Sequence, residues 1–133
     1  RGNCIWIGVH ATPTVDTIDS IFGELRTFLA RKRRFAVHIE HYGDAVIVAP
    51  CWREITCIVG HLLKIKDVLT PYLLGTCIQA TKLDEPLHLA RNMLFMLYKP
   101  ARIFDIVVGA EAAQRLLHEI HAASGPPTEQ RKA

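Results

Sequence analysis

The segment Cys51–Tyr72, CWREITCIVGHLLKIKDVLTPY, settles the architecture. Its apolar residues at 55, 58, 59, 62 and 69, with Leu73 just beyond it, fall mostly three and four apart, which makes one stripe on a 3.6-residue helix. Arg53, Glu54, Lys64, Lys66 and Asp67 lie mostly off that stripe. Gly60 interrupts it, where an exposed glycine costs about 1 kcal/mol against alanine. The expectation is a helix whose backbone lies close against a sheet at Gly60. Thr70-Pro71 ends the helix, because the residue before proline is driven out of the helical region.

Apolar strand candidates flank this helix. Phe35–His41, FAVHIEH, and Leu73–Ala80 read as strands. Ala45–Ala49 reads as a short strand or a buried loop leading into Pro50. Further out, Cys4–His10, CIWIGVH, is apolar on both faces, as a buried parallel strand is. A helix follows it, capped either by Thr12 with Pro13 at the first helical position or by Thr14. Its stripe is Ile18, Ile21, Phe22, Leu25, Phe28 and Leu29. Asp16 and Asp19 sit toward its positive end and Arg31 and Lys32 toward its negative end.

Downstream, Asp84 is placed to cap a helix over Glu85–Lys99, with Leu87, Ala90, Leu94 and Leu97 inward. Ala101–Val108 is the last strand, and Gly109 opens a closing helix with Ala113, Leu116, Leu117 and Ile120 inward. Strands and helices alternate, which makes an α/β domain: a mainly parallel sheet of four or five strands under about four amphipathic helices. It occupies residues 1–123, and the proline-bearing polar tail 124–133 is expected to be disordered.

Half of the 133 residues are apolar, enough for one globular core. The net charge of +3 is too small to call for nucleic acid. No apolar run reaches the ~18 residues of a membrane span, and a cytoplasmic protein is expected. The chain opens without methionine, almost directly on a strand, so residues upstream are expected to be missing. Cys4, Cys51, Cys57 and Cys77 form no CxxC pair and read as reduced, mostly buried thiols.

No catalytic motif survives inspection. His38, Glu40 and His41 with Pro50-Cys51 approach the HxE…PCxxC pattern of zinc deaminases, but Glu54 stands where the second cysteine is required. His118 and His121 are three apart and lack a third ligand. Neither GxSxG nor a glycine-rich phosphate loop occurs. No metal and no cofactor is expected. The basic cluster Arg31-Lys32-Arg33-Arg34 lacks interleaved aromatic residues and reads as a solvated turn rather than a nucleic-acid patch. Leu89, Met93, Phe95 and Met96 give the helix after residue 85 more apolar surface than one buried face uses. They are candidates for docking a protein partner, or else for an apolar small molecule or lipid.

The order of elements from Ile5 to Ile120 resembles the STAS domain, the family named for sulfate transporters and anti-sigma-factor antagonists. It rests on CIWIGVH, TVDTIDSIFGELRTFLA and FAVHIEH, a loop into a long helix, two further strand–helix units, and the ending RIFDIVVGAEAAQRLLHEI. The family usually opens with a hairpin, of which one strand is present here. Its phosphoswitch members carry a serine motif at the start of the central helix. Here that segment is Ala49-Pro50-Cys51-Trp52-Arg53-Glu54, without a hydroxyl. The resemblance implies a non-enzymatic regulatory or scaffold module without the serine switch. It would dock protein partners or copies of itself, with Cys51, Trp52 and Arg53 added to the docking candidates.

Overall fold

A computed structural model describes residues 4–9, 14–41, 52–81 and 85–124. Within them strands and helices alternate: β1 (Cys4–Val9), α1 (Val15–Leu29), β2 (Phe35–His41), α2 (Trp52–Leu69), β3 (Leu73–Ala80), α3 (Glu85–Leu97), β4 (Ile103–Val108) and α4 (Ala110–Ser124). The sheet has four strands, all parallel, in the order β1-β2-β3-β4. The described residues therefore form an α/β fold of four strands and four helices. Ala45–Ala49, the candidate fifth strand, and the tail 125–133 lie outside the described residues.

Each strand lies beside the one before it, so three crossovers of one hand put α1, α2 and α3 on the same face. Strand alternation sends Ile5, Val37 and Ile39 to that face, where they meet Ile18, Phe22, Ile55, Leu62 and Leu94. The opposite face belongs to α4. Ala113, Leu116 and Ile120 close over Ala36 and Cys77. Both faces of β2 are thus covered, which is why Phe35, Ala36, Val37 and His38 are all buried.

Helix ends follow local chemistry. Thr14, not Thr12, caps α1: its hydroxyl accepts the Thr17 N–H at 3.2 Å. The helix stops at Leu29, earlier than a basic end at Arg31 and Lys32 requires. Its last-turn cation is Arg26 instead. Arg31 stacks over the Phe28 ring at 4.6 Å, and Lys32 turns the chain with a left-handed φ of 55°. β4 is an edge strand, and Asp105 blunts it by accepting the Ile106 N–H at 2.8 Å while holding Arg91.

Two sequence expectations are corrected. Gly60 is not a close-approach glycine, since a Cβ there meets nothing within 4 Å. Gly75 is: a Cβ would sit 2.8 Å from both Cγ atoms of Ile120 and 3.0 Å from the Ile103 carbonyl oxygen. Along α3 and into the residue after it the inward row is Ala90, Leu94 and Tyr98, so Leu97 turns outward to 40% exposure.

The buried Cys77 thiol donates to the Ala113 carbonyl at 3.9 Å. Burial, then Cys4 and Asp105, push its pKa up to about 11. An unfolded-chain thiol titrates near ~8.5, so the contribution to stability is whole below that pH. It is lost as pH rises through the folded value, because the unfolded thiol ionises first. Iodoacetamide at mildly alkaline pH is expected to modify exposed Cys4 and to spare Cys77 in the folded chain, read by mass spectrometry. Cys77→Val is expected to flatten the alkaline fall in stability; an unchanged slope would count against this assignment.

Candidate ligand cavity and its surroundings

Between the sheet and the layer formed by α1, α2 and α3 lies a cavity of about 310 Å³ with an almost wholly apolar lining. It runs from Val9, His41 and Ala80 at the carboxyl ends of the strands to Leu73 and Ile103 at their amino ends. Its walls are built by the same alternation that makes the core. Ile39 and Ile78 point up from the sheet, and Ile55, Ala90 and Leu94 point down from α2 and α3. The volume is at the lower end of the range for small-molecule sites.

The polar side chains at the cavity include Glu54, Thr70 and Thr76 as well as two arginines, Tyr98 and His41, and the arginines are already engaged. Arg91 is bound to Asp105 through Nε at 3.1 Å and Nη2 at 2.8 Å. Arg102 donates to the carbonyls of Leu73 and Thr70, both at 3.2 Å, closing the C-terminal end of α2. Tyr98 is buried, and burial holds its phenol above the usual value and so protonated. His41 differs. Both of its ring nitrogens are buried and have no hydrogen-bond partner among the described residues. An unsatisfied buried polar atom costs about 1–3 kcal/mol, so a hydrogen-bonding group that reached either nitrogen would be stabilising.

The HxEH residues do not converge. His38 and Glu40 share the α4 face of the sheet, where His38 Nε2 meets Gln79 Oε1 at 2.9 Å and Glu40 accepts the Trp6 indole N–H at 3.0 Å. His41 lines the cavity on the other face. The docking candidates also divide. Leu89 is 52% and Met96 73% exposed, and Trp52 and Arg53 are exposed at the start of α2. Met93 and Phe95 pack against the core, with the Phe95 ring edge-on to Phe104 at 5.5 Å. Cys51 lies outside the described residues. Leu63 and Val68 on α2, not anticipated from the sequence, are exposed as well.

A polar cluster joins α1 to α2. His61 Nε2 lies 2.6 Å from Asp19 Oδ1, and the Cys57 thiol donates to the same oxygen at 3.8 Å. The His61 ring is stacked on Phe22 with centroids 4.6 Å apart. Sequence reading missed this cluster. Its visible signal was the i, i+4 pair Cys57 and His61, which one helix face must carry together. Comparison with family models, with curated proteins and with solved structures gave no match to this chain.

Proposed function

We propose that the chain is a non-enzymatic binding domain, STAS-like in its order of elements, whose ligand is a compact amphiphile held between the sheet and its helices. The observation that carries this reading is the 310 Å³ apolar cavity with His41, which has no hydrogen-bond partner among the described residues, at one end. Apolar walls hold a hydrocarbon or aromatic body without specificity, and one hydrogen-bonding side chain fixes its orientation. The ligand class is therefore an apolar body with a single polar group, a hydroxyl or carboxyl, set against His41. Free thiols at Cys4, Cys57 and Cys77 suit a cytoplasmic setting.

Decanol and decanoic acid are suitable probes, titrated by calorimetry and followed through methyl NMR shifts. Binding is expected to move the methyls of Ile39, Ile55 and Ile78 together. His41→Phe is expected to weaken both probes while leaving the fold intact. Shifts confined to exposed Leu63, Val68, Leu89 and Met96, or no binding by either probe, would overturn the reading.

A second reading is favoured by those exposed side chains themselves. Trp52, Leu63, Val68, Leu89 and Met96 put five large apolar groups, each more than half exposed, on the neighbouring helices α2 and α3. They suit docking onto a protein partner or a second copy of the chain. Light scattering during size exclusion tests the second copy. A dimer that Met96→Lys and Leu63→Lys convert to monomer supports it, and a strict monomer at high concentration removes it.

A further inference from the structure

Asp19, Cys57 and His61 bring one carboxylate oxygen, one thiol sulfur and one imidazole nitrogen within 4.8 Å of one another. The geometry points to a divalent transition-metal site of the zinc type at this junction of α1 and α2, separate from the ligand cavity. Mixed sulfur, nitrogen and oxygen donors are the set that Zn²⁺ accepts and that Ca²⁺ and Mg²⁺ do not. Tetrahedral ligation with bonds of 2.0–2.3 Å needs donors roughly 3.2–3.7 Å apart. Two of the three separations, 2.6 Å and 3.8 Å, lie on either side of that range, and all three are within 4.8 Å, so side-chain motions of about 1 Å bring the donors to a common centre.

The supporting structure is rigid where it matters. Cys57 and His61 stand one turn apart on α2, and the Phe22 stack sets the imidazole plane. Asp19, 55% exposed, is the ligand free to swing, and it leaves the fourth position open to water. The bound form balances simply. Cys57 gives its proton to solvent and its sulfur to the metal, while Nε2 of His61 becomes the ligand and the ring proton sits on Nδ1, which is buried and has no partner among the described residues.

Cobalt(II) is the probe, because a tetrahedral thiolate site gives intense visible bands and a near-ultraviolet sulfur-to-cobalt charge-transfer band. Both are expected on titrating the full chain, with Zn²⁺ displacing the cobalt stoichiometrically. Cys57→Ser is expected to abolish the charge-transfer band, and Asp19→Asn and His61→Gln each to weaken zinc binding at least tenfold. Retained thermal unfolding transitions show that the variants fold. His118→Ala with His121→Ala is expected to change nothing. Weak octahedral cobalt spectra without the sulfur band would overturn the site. So would binding that survives Cys57→Ser and vanishes with the His118/His121 pair, which would mean an adventitious metal only.

Discussion

Replacing Ile120 by alanine is expected to remove about 2–5 kcal/mol of stability, among the largest losses any single truncation here can cause. Ile120 is fully buried and holds α4 against the sheet. The carbons it would lose are the ones lying over Gly75, where α4 comes closest to β3. Gly75→Ala tests the same contact from the other side. Its Cβ would stand 2.8 Å from two Ile120 carbons and 3.0 Å from a backbone oxygen of β4. Such overpacking costs about 1–3 kcal/mol, because the hydrogen-bonded strand cannot retreat. In the Ile120→Ala background two of the three clashes vanish, so the added methyl fills part of the void. The double variant is therefore expected to be more stable than the sum of the singles, with a coupling of about 0.5–3 kcal/mol. Urea unfolding followed by circular dichroism reads it. Strict additivity would mean that α4 does not close on the sheet through this pair.

How far the sequence exposed these features depends on what kind of physical fact each one is. Periodicity is carried residue by residue, so the stripes of α1 and α4 were legible in advance. The division of His38 and Glu40 from His41 follows in the same way from a period of two. Close approach is not carried that way. Gly60 and Gly75 both sit among apolar residues, and only the crossing of α4 over β3 makes Gly75 the tight one. On α3 the surplus of apolar residues hid the choice of face. Tyr98 turned inward and Leu97 outward because Ala90, Leu94 and Tyr98 form one i, i+4 row over the sheet. The cavity was illegible for a deeper reason. Each residue that lines it reads as ordinary core, and a shortfall of volume among them leaves no mark on any one position. The Asp19–Cys57–His61 cluster lies between these cases: two members share a helix face, but the third arrives only through packing of α1 on α2.

Ala90→Leu is expected to raise the stability of the ligand-free chain and to lower its affinity for an apolar ligand. Ala90 is half-buried on α3 and faces the cavity. Leucine is close to alanine in helix propensity, so the backbone term is small. Three added carbons at ~0.8 kcal/mol each give about 2 kcal/mol if the space they enter is open. For a chain of this length that raises Tm by roughly 5–10 °C. The same carbons occupy volume a ligand would use, and a loss of tenfold or more in affinity is expected. Leu63→Ala on the outer face of α2 supplies the contrast, since it removes an exposed side chain and should alter neither quantity much. The sign of the stability change decides the matter. In a close-packed core three extra carbons force strained rotamers and destabilise the fold. In an unfilled cavity it supplies contacts that the lining residues lack. A fall in Tm would therefore remove the cavity, and with it the ground for assigning a small-molecule ligand. A rise accompanied by loss of decanol binding would tie the missing volume directly to the bound molecule.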